Sequence, residues 1–407
     1  MIPPVVVSSP GRADFLNTHQ DYKGLPVVSV AVNLRTYLLA KPITRNIFVI
    51  KSLDLERLHE PSTDVFTIRE NKMLKKGFFG NYFRSIVNVL VKQGVARKLQ
   101  GMDISVESEI PIGSGLASSA ALEVAFVALL NHVYNLGYTK RELAETAYIA
   151  ETEEVGIPCG RLDQYGVSFG GTIKLDCKPP YTVEPLPFKA LTFAIIDSGI
   201  RHSTEDIHPK RQAEIDEGLK TLMESRVIPD TLKAKLGYRF DQPRWTEIRE
   251  EEMEDALSVL DNKTERRIRF TIRMQRLTEF ALKILRLEKL IKKDVVQNLG
   301  EEEWNRIQKS PSSKKDNLVL GGVMNKQQAL LRDFYDVSLP EIEKICSTAL
   351  EAGAYGAKIS GAGMGGSIIT LVKDKKTGQE VTDACLSVGA RNGWVSVVGE
   401  GVKIEAE

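Results

Sequence analysis

Residues 111–121 run Pro-Ile-Gly-Ser-Gly-Leu-Ala-Ser-Ser-Ala-Ala, and their types and spacing suit phosphate. Glycines at 113 and 115 permit positive φ and a close backbone approach to a ligand. A helix that starts at once presents unpaired N–H groups and the positive end of its dipole, which favours an anion. Ser118 or Ser119 could add a hydroxyl ligand to a magnesium ion carried by that phosphate. The segment is not a Walker loop, since no Gly-Lys-Ser/Thr follows. Nor is it the dinucleotide fingerprint, because the third glycine and the βαβ acidic residue are missing. A lone Gly/Ser turn before a helix is more often a plain helix start than a site. A second glycine cluster, Gly361–Gly366, strengthens the nucleotide reading.

Three other places hold groups able to do chemistry. Asp163 sits in Gly156-Ile-Pro-Cys-Gly160-Arg-Leu-Asp163-Gln164, where an aspartate by default turns or caps the chain. Arg12 follows Pro10-Gly11 and is by default a surface arginine. His19 and Asp21 flank Gln20 in a polar loop whose plain reading is a turn.

The elements that must position these groups are legible in outline. Val5–Ser8 is a β-branched run expected to stop at Pro10-Gly11, and Leu34–Ala40 and Asn46–Ile50 are further apolar runs. Residues 77–93 carry apolar side chains at helical spacing, and Met102–Val106 alternates as a half-buried strand would. A helix follows Ser118 to about Asn131. Another covers Lys140–Glu151, opened by Thr139 with Glu142 in capping-box spacing. Thr172–Asp176 and Phe193–Asp197 are expected strands, and Pro179–Pro187 a connection. From about Lys210 to Lys293 the composition turns to long charged helices, whose charges are expected to form a solvated face. Lys309–Asp316 is expected to be a loop, Leu318–Leu331 and Leu339–Ala352 helices, and Ser367–Val372 a strand. Mixed elements in both halves make the fold α+β.

A length of 407 residues fits two domains of roughly 150–200 residues. Lys+Arg total 55 against 54 Asp+Glu, a net charge of +1. That balance argues against a protein that coats nucleic acid and leaves room for one confined anionic ligand. Four scattered cysteines suit a reducing compartment rather than a zinc knuckle or a redox pair. The first residues carry no basic or long apolar stretch, so no secretion signal is expected, and no run of about 18 apolar residues occurs to span a membrane. A cytoplasmic location is expected.

Several motifs then occur in one order: Ser9-Pro-Gly-Arg12 with His19-Gln-Asp21-Tyr22 and Gly24; Pro111–Leu122; Ala150-Glu151 with Cys159-Gly160 and Leu162-Asp163-Gln164; Arg201-His202-Ser203; Leu320–Asn325 with Leu331–Tyr335; and Lys358–Gly366. In these the chain resembles the GHMP kinases, on the galactokinase branch, almost end to end. The resemblance implies a two-domain GHMP kinase architecture with the active site between the domains. An N-terminal ribosomal protein S5 domain 2-like domain (1–190) would precede a C-terminal ferredoxin-like domain (191–407). It implies an ATP- and Mg2+-dependent kinase for the anomeric hydroxyl of galactose or a relative such as galacturonate or arabinose. By similarity, Asp163 is the catalytic carboxylate and Arg12 its partner. Gly113, Ser114, Gly115, Leu116, Ala117, Ser118, Ser119 and Ala120 wrap the ATP phosphates, while Phe79 and Asn81 line the adenine pocket. Ser119 and Glu151 hold magnesium. Thr18, His19, Asp21, Gly160, Asp163 and Asp206 face the sugar, and Gly361–Gly366 closes the site.

Two departures bear on the sugar. Thr18 stands where the family has a glutamate that meets the sugar's C6 hydroxyl, and Asp206 is aligned with a sugar-contacting tyrosine. Losing that glutamate weakens selection for galactose, because a site built around a hydroxyl discriminates through its hydrogen bond. A silent sugar and ATP sensor acting through a protein partner, or another GHMP small-molecule kinase, are the rival readings. No nucleic acid or membrane partner is expected.

Overall fold

The first strand does not stop at Pro10-Gly11. In a computed structural model, which describes residues 4–95, 99–189, 191–201 and 204–406 but not the side chains of 204–206, β1 runs from Val5 to Leu16. Gly11 serves close approach rather than a turn: a Cβ there would lie 2.9 Å from the carbonyl oxygen of Leu116. The neighbouring Arg12 N–H donates to that same oxygen at 3.0 Å. The Pro-Gly pair thus lets the glycine-rich loop 111–117 rest on the strand.

After β1 come β2 (Val27–Pro42), β3 (Ile47–Ser52), α1 (Leu53–Arg57), β4 (Thr63–Thr67), α2 (Asn81–Lys92) and β5 (Met102–Ser108). Next are α3 (Ser118–Tyr134), α4 (Lys140–Ile149), α5 (Leu162–Phe169), β6 (Thr172–Leu175), β7 (Val183–Leu186) and β8 (Thr192–Asp197). The charged segment forms α6 (Thr204–Glu224), α7 (Asp230–Lys233), α8 (Glu250–Leu257), α9 (Asn262–Leu285), α10 (Lys292–Leu299) and α11 (Glu301–Gln308). The chain ends with α12 (Ser312–Asp333), α13 (Pro340–Glu351), β9 (Gly356–Ser360), β10 (Ser367–Val372), α14 (Lys375–Ser387), β11 (Asn392–Val397) and β12 (Lys403–Ala406).

Two expectations for connections are corrected. Residues 312–316 are not loop but the first turn of α12, which starts directly after Pro311; proline suits a position whose N–H has no intrahelical partner. Within Pro179–Pro187, Asp176 N–H donates to the Thr182 carbonyl at 2.9 Å, and the closed turn carries Val183–Leu186 into a strand.

Contacts divide the chain into two compact units. Unit 1 is Met1–Ala13, Val30–Ile173 and Val398–Glu407, and unit 2 is Asp14–Ser29 and Lys174–Val397. This is not one cut near residue 190. The last ten residues belong with the start because β12 pairs antiparallel with β1, Val6 opposite Ala406. In unit 1 the strands follow the order β12-β1-β2-β5-β3-β4. α3 is buried along Ala120–Leu130 except at Leu122, and Phe126 meets Phe83 at 4.9 Å between ring centroids. α4 carries the expected capping box between Thr139 and Glu142.

In unit 2 the sheet order is β11-β8-β10-β9, all antiparallel. Together with α13 and α14 this is the βαββαβ arrangement of a ferredoxin-like domain. α13 buries Ile342, Ile345, Cys346 and Ala349, an i, i+3, i+4, i+7 stripe. α9 packs on α6 and α12, and its charges are not simply solvated. Arg267 is 2% exposed and bonds Glu214 and Asp336, each at 2.6 Å. Among the described residues no helix is long and apolar enough to cross a membrane.

Candidate active site

In unit 1 the phosphate loop, Arg12 and Asp163 form one hydrogen-bonded group. Gly113 and Gly115 take positive φ, 69° and 75°, and Ala117 follows in the left-handed region with φ 59°. These turns deliver the chain to α3, whose first turn has no side-chain cap. Its N-terminal N–H groups therefore point out of the helix without the usual hydroxyl or carboxylate partner. The hydroxyl of Ser114 donates to the Pro111 carbonyl at 2.8 Å and shapes the loop.

Arg12, 7% exposed, extends from β1 beneath this loop. Its Nη1 donates to the Gly115 carbonyl at 2.7 Å. Nε and Nη2 donate to Asp163 Oδ1 at 2.9 and 2.6 Å. Both arginine bonds end on one carboxylate oxygen; no hydrogen bond from the described residues reaches Oδ2. Asp163 stands in the first turn of α5, which follows the wide π turn Ala150–Val155. That turn carries Glu151, 5% exposed. Glu151 accepts from Gln164 Nε2 at 2.5 Å and from Cys159 Sγ at 3.6 Å, and Ser119 lies near it. Burial first, and then the charge of Asp163, raises the Glu151 carboxyl above its ordinary range.

Unit 2 holds the polar loop 17–24. Asn17 and Gln20 tie it to α9, Asn17 Nδ2 donating to Gln275 Oε1 at 2.7 Å and Gln20 Nε2 to the Thr271 carbonyl at 3.0 Å. Lys23, with no exposed surface, donates to Thr271 Oγ1 at 3.0 Å and lies 4.8 Å from the ring centres of Phe270 and Tyr335. The charged segment thus has a structural purpose: α9 is the platform for this loop. His19, in the left-handed region at φ 66°, meets the Ala362 carbonyl at 2.9 Å through Nε2. A carbonyl only accepts, so Nε2 carries the proton. Burial above all, and then His208, lowers the His19 pKa well below the usual value, and the ring is neutral at pH 7. His208 lies edge-on to His19 at 5.1 Å, with Tyr335 at 5.0 Å. Thr18 is 2% exposed, and its hydroxyl accepts from Lys358 Nζ at 2.8 Å. Burial lowers the Lys358 pKa to about 8.

Three family signatures match this chain: the GHMP kinases N terminal domain over residues 81–171, the GHMP kinases C terminal over 313–391, and the galactokinase galactose-binding signature over 2–42. The chain belongs to the GHMP kinases, on the galactokinase branch. A galactokinase of Thermococcus kodakarensis is 28% identical over 407 residues, covering 98% of this chain and 99% of that protein. One of Roseiflexus sp. is 29% identical over 382 residues, covering 91% and 84%. The crystal structure of Lactococcus lactis galactokinase complexed with galactose has a TM-score of 0.74 at 25% identity, covering 99% of this chain and 95% of that one. Mevalonate kinase, at 18% identity and a TM-score of 0.65, shares the fold. This GHMP kinase is accordingly a phosphotransferase with an alcohol group as acceptor, and its substrate ATP follows from the family.

The residues expected to act fall into two sets. Arg12, Gly113–Ala120, Glu151, Gly160 and Asp163 lie in unit 1, and Thr18, His19 and Asp21 in unit 2. Phe79, half-buried, meets Phe78 and Phe83. Asn81 is buried, with its amide spent on Leu74 and Lys75 backbone groups, so it braces the loop before α2. Gly160 is exposed. The side chain of Asp206 lies outside the described residues, as do His202 and Ser203. The α6 residue that stands against His19 is His208, which sequence reasoning passed over. A signal existed: His208 is three residues before Arg211, on the same helix face, and Arg211 is buried.

Magnesium is the ion this family's chemistry implies, and the residues here fit it. Ser119 and Glu151 are neighbours at the foot of the glycine-rich loop, and among the described residues no ion pair reaches the raised Glu151 carboxyl. Among the described residues no three His, Cys, Asp or Glu side chains are grouped to hold a metal. Magnesium asks for less, since it keeps water and phosphate oxygens and needs one or two protein ligands.

Proposed function

We propose that this protein is an ATP-dependent sugar kinase that transfers the γ-phosphoryl group to the anomeric (C1) hydroxyl of galactose or a related sugar, galacturonate or arabinose. One observation carries the chemistry: Arg12 holds a single oxygen of Asp163 and the phosphate-loop carbonyl of Gly115 at once. The carboxylate is thereby fixed relative to the loop that cradles the phosphates, and Oδ2 is the oxygen left for the acceptor hydroxyl. Phosphoryl transfer depends on positioning and charge stabilisation more than on covalent chemistry. Asp163 would orient the C1 hydroxyl and accept its proton as the O–P bond forms. The N–H groups of residues 113–120 would receive the phosphates. Ser119 and Glu151 would hold Mg2+, which when bound would supply positive charge to offset that of the phosphates.

The loop 17–24 supports a polyol acceptor. A neutral His19, with its proton fixed on Nε2, carries an accepting Nδ1 that the Tyr22 hydroxyl approaches at 3.5 Å, and Asp21 adds a carboxylate to the same loop. Thr18 does not supply the carboxylate that galactokinases place there. Its hydroxyl is engaged by Lys358, so the C6 end of the sugar meets no acidic group from position 18. This supports a broader choice of sugar, including a pentose or a C6 carboxylate. A reaction that draws on ATP, and four cysteines free of disulfides, favour a cytoplasmic setting. ADP release measured over hexoses, uronic acids, pentoses, mevalonate and homoserine tests the reading. Turnover with at least one aldose and none with mevalonate or homoserine is expected. Turnover confined to the latter two overturns it, as does binding of ATP and sugar without any ADP release.

A further inference from the structure

The lysine behind Thr18 carries a charge that its own neighbours do not balance. Lys358 lies on β9, every residue of which is buried, and has no exposed surface. Its three N–H groups end on neutral oxygens: the Ile359 carbonyl at 2.7 Å, the Thr18 hydroxyl at 2.8 Å and the Asp14 carbonyl at 3.1 Å. None of these partners is a carboxylate, and the charge of Asp14 acts on the ammonium from further away. The Cys346 thiol also faces it, but burial pushes that thiol up and keeps it neutral. With its pKa lowered only to about 8, Lys358 is still an ammonium at pH 7. A buried charge with no counter-ion beside it is costly. A carboxylate at position 18 would be that counter-ion, and Thr18 is not one.

The same bond decides what Thr18 can offer a ligand. Because Nζ donates to Oγ1, the ammonium occupies a lone pair of the hydroxyl, and the O–H proton is left to donate elsewhere. Among the described residues no acceptor meets it. Position 18 therefore presents a donor backed by positive charge, within the stretch 2–42 that matches the galactose-binding signature and next to His19. We infer that Thr18 and Lys358 form a carboxylate-selecting pair, and that the acceptor sugar is a hexuronic acid such as galacturonate: its carboxylate accepts the Thr18 O–H and balances the ammonium behind it. The inference rests on reading the chain as a sugar kinase acting at C1, which leaves the C6 carboxylate at the far end of the sugar. A hydrogen bond to a charged acceptor is about twice as strong as a neutral one, and a neutral hexose would leave the ammonium unbalanced.

The test is kcat/KM by ADP release, with the full chain, ATP and Mg2+, for D-galacturonate, D-galactose and L-arabinose. Galacturonate is expected to lead both others at least tenfold. Thr18→Glu, which gives Lys358 a counter-ion from the chain, is expected to invert the order of galacturonate and galactose. Lys358→Met is expected to raise KM for galacturonate at least tenfold more than KM for galactose, whereas a lysine that only supports the fold would shift both alike. Galactose or arabinose leading in the parent chain overturns the inference while leaving the sugar-kinase reading intact; turnover with no aldose overturns both. An unchanged order in Thr18→Glu, or equal KM shifts in Lys358→Met, also overturns it. Should Lys358→Met not fold, Thr18→Val keeps the shape and removes the donor, and equal KM shifts for the two sugars there count against the pair in the same way.

Discussion

Replacing Asp163 by Asn is the sharpest perturbation of the proposed chemistry, because it conserves shape while removing charge and basicity. Asp163 Oδ1 takes two charge-assisted bonds from Arg12, at 2.9 and 2.6 Å, and Oδ2 is left to the acceptor. An amide can still present one oxygen to Arg12, so the loop anchored by Arg12 on the Gly115 carbonyl at 2.7 Å should persist. What disappears is a group able to take the acceptor's proton. Such a contribution is worth about 10²–10⁴ in rate, or about 2.7–5.4 kcal/mol of barrier at 1.36 kcal/mol per tenfold. kcat in a coupled ADP-release assay should therefore fall by about that factor. ATP affinity, measured calorimetrically with a non-hydrolysable analogue, should change less than about threefold. Arg12→Lys is the companion variant. One ammonium cannot reproduce a guanidinium that bonds a carboxylate with two N–H groups and a carbonyl with a third, so both kcat and nucleotide affinity should drop. A turnover number for Asp163→Asn within about threefold of the parent would refute the assignment. A loss confined to nucleotide affinity would refute it too, since it would make Asp163 a loop anchor alone.

Arg267→Ala should destabilise unit 2 by about 3 kcal/mol, because it removes two charge-assisted bonds of 2.6 Å from a buried guanidinium, while Glu214 keeps Arg211 and Asp336 keeps Arg266. At about 2–4 °C per kcal/mol for a unit of this size, its melting transition should fall by about 6–12 °C in calorimetry; a shift below about 2 °C contradicts the burial argument. The lowered pKa of His19 predicts stability that declines on acidification. Below about pH 6.5 the unfolded chain binds a proton that the folded ring resists, so the unfolding free energy falls as pH drops toward 5. His19→Gln should flatten that slope in denaturant titrations, and an identical slope rejects the assignment. Gly363 has φ 86°, and a Cβ there would lie 2.4 Å from the Val337 carbonyl oxygen. Gly363→Ala should displace the loop that offers the Ala362 carbonyl to His19, raising KM for the sugar severalfold while leaving nucleotide affinity unchanged; equal KM values would show the loop to be uninvolved.

Much of the phosphate half was legible in the sequence because its signals are local. A glycine pair ahead of a helix and a capping box at Thr139 each act within a few residues. The acceptor half was harder to read. The tie between Thr18 and Lys358 spans 340 positions along the chain, and no local pattern announces it. Asp206 was placed by counting through an uncertain gap, whereas helix periodicity back from Arg211 leads to His208. The charges of α9 looked like a solvated face, because composition does not reveal that Arg267 has two acidic partners on other segments.

By itself, the sequence determined the family and the fold class, since these follow from residue type and short-range spacing, and it named the groups proposed to carry charge and protons. Only the tertiary structure decided what those groups are tied to. It put two of the three Arg12 bonds on one oxygen of Asp163 and spent the Thr18 hydroxyl on a buried lysine. The reason is physical: a buried polar group must find its partner in three dimensions, and that partner is supplied by whichever segment the packing of the core brings alongside.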